Sequence, residues 1–288
     1  PEPPTQETSA TDPTQQTQPE ATQDSTLPTP PEGEQAAAVF SPADAGLVEV
    51  NSVCGYDANV EDYLQTELAW NLNQAEPTVL IVHSHATESY ENTEDYQASS
   101  QYRTYDLAYN VVSVGDRLVQ VLQQQGMQLV QDRALHDAPS YSDAYANARK
   151  SIADYLEQYP SIVLVLDIHR DAVEDYDGEQ MRFAVDAGEQ SVAQLMMVVG
   201  TDAGGLSHPR WPENMSLAVK LHAQLEKLVP GICRPISFRS QRFNQDLSPG
   251  ALIVEVGATG NTRQEALLAA EYLGQAIGQI AGGATTAG

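Results

Sequence analysis

Four short stretches of the chain are continuously apolar, which is the pattern of strands buried on both faces. They cover residues 78–82, 161–168, 192–199 and 251–256. A strand with one solvated face would alternate apolar and polar residues. We therefore expect helices on both faces of the sheet that these strands form.

Helical patterns separate the strands. Apolar residues recur at helical spacing over 107–122, 141–156, 212–228 and 262–280, and the last of these segments opens with a Thr-x-x-Glu capping box. Strands that alternate with helices of this length predict an α/β fold. We expect a single three-layer domain with a mostly parallel central sheet flanked by helices.

The composition divides the chain into three parts. Residues 1–45 hold 9 of the 17 prolines and very few large apolar side chains, so they are predicted to be a disordered, acidic linker rich in Pro, Thr and Gln. Residues 46–281 are the predicted folded domain, and residues 282–288 a flexible C-terminal tail.

Acidic residues dominate the charge of the chain. The formal net charge is −26, and 18 Asp and Glu residues precede the first base, Arg103. This balance excludes nucleic acid and anionic lipid head groups as direct electrostatic partners. No apolar run approaches the roughly 18 residues that a membrane-spanning helix needs.

Three of the predicted strands end in residues that bind metals or move protons. The first runs into His83, His85 and Glu88, the second ends at His169, and the fourth carries Glu255. In open α/β sheets ligands bind beyond the carboxyl ends of the strands, so we expect these side chains to converge. Two His and one Glu are a common ligand set of a catalytic zinc ion.

We predict one zinc ion per chain, held by His85, Glu88 and His169. The spacing of His85 and Glu88 suits one ligand at the strand end and one on the following turn. Glu255 then remains as the catalytic carboxylate that moves a proton between water and the leaving group. His83 stays open as an alternative ligand or a group that supports one, because in extended chain it points to the same side as His85.

Other candidates are predicted to be structural. Helical spacing or loop-like surroundings favour this role for His136, His208, His222, Tyr141, Tyr145 and Tyr155. A disulfide between Cys54 and Cys233 remains open, although two unpaired thiols are the simpler interpretation.

Four motifs resemble a known family. In order along the chain they are VLIVHSHATESY, LVLDIHRDA, FNQDLSP and LIVEVGATGN. Together they are similar to stage II sporulation protein P, a family of peptidoglycan hydrolases, and more distantly to zinc-dependent N-acetylmuramoyl-L-alanine amidases. The resemblance covers roughly residues 47–281. It implies that 46–281 is a zinc amidase domain with the ligands and the catalytic Glu255 named above, and it places Arg170 and Asn244 at the substrate.

The resemblance also implies an activity and a place of action. The expected reaction is hydrolysis of the amide between N-acetylmuramic acid and L-alanine of the stem peptide, in the septal wall thinning and engulfment of sporulation; endopeptidase cleavage of the stem peptide stays open. The expected partners are peptidoglycan, stage II sporulation protein D and a membrane protein. The family implies an extracytoplasmic location at the cell wall and an N-terminal membrane anchor, which would connect through residues 1–45.

Two other functions remain as alternatives. A zinc carboxypeptidase would share the ligand set, but it needs a cation for the terminal carboxylate, and Arg170 is the only base immediately beside a predicted ligand. A non-catalytic wall-binding module would hold a structural metal, yet such sites usually have four ligands rich in Cys. Neither cysteine is near the His motifs in the sequence.

Overall fold

Alternating strands and helices make up residues 37–68 and 70–283, which are the residues that the structure, a computed structural model, describes. The strands are β1 (Val50–Ser52), β2 (Val79–Val82), β3 (Leu129–Gln131), β4 (Leu164–Asp171), β5 (Ala184–Ala187), β6 (Gln190–Ala193), β7 (Leu195–Gly200), β8 (Ile236–Arg239) and β9 (Gly250–Ala258). The α-helices are α1 (Val60–Gln65), α2 (Val111–Gln124), α3 (Ala144–Gln158), α4 (Trp211–Leu228) and α5 (Arg263–Gly283), and short 3-10 helices lie at Pro42–Leu47, Tyr141–Asp143 and Gln245–Leu247. In these ranges no helix combines the length and the apolar character needed to cross a bilayer.

Seven strands form one sheet in the order β1-β8-β7-β9-β4-β2-β3, and β5 and β6 form a separate antiparallel pair. Neighbouring strands in the large sheet are parallel except for β7 and β9, which are antiparallel. The predicted mostly parallel sheet is therefore confirmed, with one reversal at its centre. Because β9, β4 and β2 are adjacent and parallel, their carboxyl ends meet at one edge.

Helices cover both faces of this sheet, as the continuously apolar strands predicted. Helix α3 packs on one face, where Ile152 joins Leu80, Val165 and Ala251 in a buried cluster. Helix α2 lies on the other face, α5 packs along α2, and α4 packs along α5. The three-layer arrangement explains why the central strands carry so few solvent-facing polar residues.

The structure divides one predicted strand and confirms one predicted cap. The apolar run 192–199 forms two strands, since β6 pairs with β5 while β7 joins the large sheet, and Gln194 connects them. At the start of α5 the Glu265 N–H donates to Thr262 Oγ1 (3.3 Å) and the Thr262 N–H donates to Glu265 Oε2 (3.1 Å). This is the capping box that the sequence indicated.

The segment 37–47, most of which was predicted to belong to the linker, packs on the domain. The Ala38 N–H donates to the Gln279 carbonyl of α5 (2.7 Å), and Asp44 pairs with Lys227 of α4 (2.9 Å). The ring of Phe40 lies 4.8 Å from Lys220 Nζ. Aromatic–cation contacts and one ion pair thus hold a segment whose composition offers few apolar anchors. The predicted linker residues 1–36 and tail residues 284–288 lie outside the described residues.

Both cysteines are free, as the simpler interpretation predicted. The strands β1 and β8 are parallel neighbours in which Ser52 pairs with Phe238. Cys54 follows the end of β1, whereas Cys233 precedes the start of β8. The two thiols therefore lie at opposite ends of the strand pair, where a disulfide cannot join them.

Candidate active site

The carboxyl ends of β2, β4 and β9 bring the predicted residues to one edge of the sheet. His169 is on β4, and its register partner on β9 is Glu255. The chain leaves β2 at Val82 and makes a turn over 84–87 that carries His85 and leads to Glu88. Parallel pairing of the three strands therefore sets which of these side chains can meet.

His169 is buried between two carboxylates. Its Nδ1 lies 3.5 Å from Glu88 Oε2, and its Nε2 lies 2.9 Å from Asp167 Oδ1, at an angle outside hydrogen-bond geometry. Burial by itself would lower the pKa of His169, but the charges of Asp167 and Glu88 raise that pKa well above its usual value. Asp167 is held in turn by Ser84, whose N–H (2.7 Å) and hydroxyl (2.5 Å) both donate to it.

Glu88 is a buried, ionised carboxylate. Its Oε2 accepts a hydrogen bond from the Arg170 N–H (3.2 Å) and faces His169. Burial would raise the pKa of Glu88, yet the hydrogen bond and charge of His169 and the charge of Arg170 lower it to about 2. An ionised buried carboxylate is the form in which Glu binds a metal ion.

His85 stands on the turn after β2 with its Nδ1 buried and unpartnered among the described residues. Its ring stacks on Tyr141 at a centroid distance of 4.2 Å and meets the ring of His169 edge to face at 5.4 Å. Burial lowers the pKa of His85. A neutral imidazole with a free buried nitrogen is suited to bind a metal ion or a donor from a ligand.

Glu255 contributes a second unpartnered atom at the same edge. The residue is partly exposed, but its Oε2 is buried without a hydrogen-bond partner among the described residues. Burial raises the pKa of Glu255 to about 8, and the nearby charges of Glu88 and Asp171 act in the same direction. A carboxyl group with a pKa near neutrality can both accept and return a proton at physiological pH.

His83 lies on the opposite face of the sheet from His169 and Glu255. Its Nδ1 is 3.1 Å from the Ile168 carbonyl and its Nε2 is 3.1 Å from Gln131 Nε2, so protein groups contact both ring nitrogens. Burial lowers the pKa of His83 to about 4. The premise that His83 and His85 share one side fails because β2 ends at Val82, and the turn that follows brings only His85 to the edge.

Arg170 and Asn244, predicted to contact substrate, are engaged with the protein itself. The guanidinium of Arg170 is buried and donates to the carbonyls of Ser89 (2.9 Å) and Tyr102 (2.9 Å). As the neighbour of His169 in a strand, Arg170 points to the other face of the sheet. Asn244 has a left-handed backbone (φ 62°) and donates to the Tyr145 carbonyl of α3 (2.8 Å).

Of the histidines predicted to be structural, His136 has a clear partner, since its Nε2 lies 2.8 Å from the buried Asp132. His208 and His222 are buried too, just before and within α4.

The structure adds four residues that the sequence analysis missed. Tyr145, predicted to be a core residue, packs edge to face on His85 (5.3 Å) and stacks on His169 (6.4 Å). Tyr141 is half exposed and not a core residue; it stacks on His85 and carries the guanidinium of Arg103 at 4.2 Å. Of these residues, only Asp167 could have been identified from the sequence, because it lies two residues before His169 and so on the same strand face.

The side chains of His85, Glu88, His169 and Glu255 do not form a complete metal site in the observed arrangement. Within the described ranges no three His, Cys, Asp or Glu side chains are placed to hold a metal ion together. His169 Nδ1 and Glu88 Oε2 are nevertheless 3.5 Å apart, close to the roughly 3.4 Å that separates two ligands on a tetrahedral zinc ion. His85 Nδ1 and Glu255 Oε2 are buried polar atoms without partners beside them. Such atoms normally have a ligand, an ion or water, so the donors at this edge are of the types that zinc binds.

Comparison with known sequences finds one family. The profile of stage II sporulation protein P (SpoIIP) matches residues 2–278. Stage II sporulation protein P of Bacillus subtilis (strain 168) is 29% identical to the chain over 198 residues. That alignment covers 65% of this chain and 47% of the relative, so the chain spans about half the length of the curated protein it matches.

Comparison with solved structures finds amidases at low identity. The CwlD amidase from Clostridioides difficile, solved in complex with the GerS lipoprotein, has 12% identity and a TM-score of 0.42, with 71% of this chain and 95% of that chain covered. The N-acetylmuramoyl-L-alanine amidase AmiC2 of Nostoc punctiforme has 17% identity and a TM-score of 0.39, with coverage of 72% and 94%. The N-acetylmuramyl-L-alanine amidase Ami1 from Mycobacterium smegmatis has 12% identity and a TM-score of 0.41, with 74% of this chain and 99% of that chain covered.

Proposed function

The chain belongs to the stage II sporulation protein P family, and from that premise we propose that it hydrolyses the amide between N-acetylmuramic acid and L-alanine of the peptidoglycan stem peptide. The observation that carries the proposal is the convergence of His169, Glu88 and Glu255 at adjacent strand ends. Family membership supplies the substrate, and the strand ends supply groups suited to its chemistry.

In this proposal His85, Glu88 and His169 hold one zinc ion. When bound, zinc supplies a polarised carbonyl and a water molecule activated near neutral pH. Asp167 lies 2.9 Å from His169 Nε2, and a carboxylate beside a ligating imidazole raises the basicity of the ring. The Ser84 N–H and hydroxyl keep Asp167 in place for that purpose.

Glu255 is the proposed proton carrier. It takes a proton from the attacking water and returns it to the departing amine of L-alanine, so that the C–N bond breaks and a lactyl carboxylate forms. Support comes from its unpartnered Oε2 and from the burial that raises its pKa to about 8. His83 takes no part, since its nitrogens face Ile168 and Gln131.

The place of action follows from the same premise. We propose that the whole protein acts outside the cytoplasm on septal peptidoglycan during sporulation, attached through an N-terminal membrane anchor. Stage II sporulation protein D and a membrane protein are the proposed partners. Localisation of a fluorescent fusion in sporulating cells, with and without each partner, tests this part of the proposal.

Digestion of purified peptidoglycan tests the reaction. We expect stem peptides with a free L-alanine amino group, no reaction after treatment with a chelator, and recovery after zinc is added back. Mass spectrometry also separates the alternatives, because an endopeptidase would cut within the peptides and a carboxypeptidase would release a C-terminal residue. Arg170, the cation named for the carboxypeptidase alternative, is engaged by backbone carbonyls. Glycan strands that keep all their stem peptides would contradict the proposal.

A further inference from the structure

Arg103 lies on the segment that pairs with Glu88, beside the turn that carries His85. The backbone of Arg103 forms an antiparallel bridge with Glu88, and the Thr104 N–H donates to the Thr87 carbonyl (2.8 Å). Tyr102 has a left-handed backbone (φ 51°), a conformation that a tyrosine rarely adopts. This strained residue precedes Arg103 and is anchored through its carbonyl to Arg170, so the position of Arg103 relative to Glu88 is well defined.

The side chain of Arg103 is fixed by one of its three nitrogens. Nη1 donates to the buried carboxylate of Asp137 (2.9 Å) and to Thr87 Oγ1 (3.1 Å). The guanidinium lies 4.2 Å from the ring centroid of Tyr141, and that ring stacks on His85. These contacts hold the planar group in one orientation beside the site, which reduces the entropy lost when it binds a ligand.

The remaining donors of Arg103 are free. Within residues 37–68 and 70–283, Nε and Nη2 have no hydrogen-bond partner, and the side chain is 26% exposed. Neighbouring N–H groups of a guanidinium match the two oxygens of a carboxylate and bind it with paired hydrogen bonds. The cation matters because the chain as a whole carries a net charge of −26 and would otherwise repel an anionic substrate.

We propose that Arg103 is a specificity-determining residue that binds a carboxylate of the stem peptide next to the scissile amide. This inference rests on the proposed function. In a stem peptide whose second residue is D-glutamate, the α-carboxylate lies one residue from the amide that is cut. Tyr141 supports the guanidinium from its half-exposed ring, and Asp137 and Thr87 position it. A substrate in which this carboxylate is an amide loses the paired hydrogen bonds.

Two soluble substrates that differ in this group alone provide the test: N-acetylmuramyl-L-alanyl-D-glutamate and its D-isoglutamine analogue. We expect the wild-type protein to prefer the acid by about tenfold or more in kcat/KM. Arg103→Gln should abolish that preference, and Arg103→Lys should retain part of it. Arg210→Gln removes the same charge at an exposed position at the start of α4 and serves as the control.

The outcomes separate this inference from a structural role and from the proposed function. If Arg103→Gln slows both substrates equally, or if the wild type shows no preference, the assignment is wrong. Should no variant hydrolyse either compound, calorimetric binding of the same pair still reports on Arg103. Tighter binding of the acid to wild type than to Arg103→Gln would support the inference without hydrolysis, and equal binding would overturn it.

Discussion

His169 and Glu255 are direct neighbours across β4 and β9, so one strand pairing sets both the proposed ligand and the proposed proton carrier. The register of these strands shifts immediately afterwards, between His169 and Asp171. Irregular pairing is common next to active sites, where it changes the direction of side chains. In this protein the register shift ends the regular pairing of β4 and β9 directly after His169 and Glu255, the residues proposed to take part in the reaction.

Glu255→Gln should keep the fold and any bound zinc but lose most of the hydrolysis. The amide is nearly isosteric, and the Oε2 that it alters has no hydrogen-bond partner in the described part of the chain. It cannot accept a proton, and general acid–base catalysis contributes roughly 10²–10⁴-fold to rate. Zinc content, melting temperature and cleavage of muropeptides, measured on one preparation, check all three expectations. Turnover close to that of wild type would exclude the proposed mechanism.

His85→Ala and His169→Ala should each lose the metal together with activity, because two remaining ligands bind zinc weakly. His83→Ala is the matched control: it should retain about one zinc per chain, because His83 faces Gln131 and Ile168. It should instead lower the free energy of unfolding, since the buried ring and both of its polar contacts are lost. Metal analysis of the three purified variants decides the assignment. Complete metal loss in the His83 variant would reverse it.

Gly115→Ala should destabilise the domain by about 1–3 kcal/mol, the usual effect of overpacking. A Cβ at this position in α2 would come within 2.6 Å of both the His83 ring and Gln131. Gly46→Ala is the control, because a Cβ there would meet nothing within 4 Å. Urea denaturation of the two variants measures the difference. Equal stability would mean that the face of His83 is less closely packed than the structure indicates.

Glu265 should make stability depend on acid pH. Burial would raise the pKa of this carboxyl, but hydrogen bonds from Arg182, Asn261 and the Thr262 N–H lower it below the usual 4.5. A carboxyl with a lowered folded-state pKa stabilises the fold above its unfolded pKa, and this contribution is lost as the pH falls through the folded value. Glu265→Gln should therefore reduce stability at neutral pH. It should also make the fall in stability between about pH 6 and pH 3 less steep than in wild type. Melting temperatures from about pH 3 to pH 6 provide the measurement.

Glu271 supplies the contrast for that experiment. Burial raises its pKa above the usual value although Arg117 acts in the other direction. Its proton is bound more tightly in the folded state, so its contribution to stability grows as the pH falls through the raised pKa. Glu271→Gln should make the fall in stability at acid pH steeper than in wild type. The same slope for both variants would contradict the opposite pKa shifts described for the two carboxyls.

The sequence alone indicated the central strands, the long helices and the candidate site residues of this protein. Continuously apolar runs identified the buried strands because strands between two helical layers contact no water on either face. A capping box located the start of α5 because its two hydrogen bonds are local. His85, Glu88, His169 and Glu255 could be assigned to one edge because the carboxyl ends of adjacent parallel strands coincide.

Only the tertiary structure decided which side chains near the candidate residues face the site. Alternation along a strand separates the two faces, but the face of His83 depends on where β2 ends, and pairing with β4 sets that end. The proposed role of Arg103 depends on Asp137 and Tyr141, which lie far from it in sequence and contact it only after folding. The reversal between β7 and β9 is likewise a long-range contact. Local patterns contain no information about such pairings, because the energies that decide them come from residues the local chain does not include.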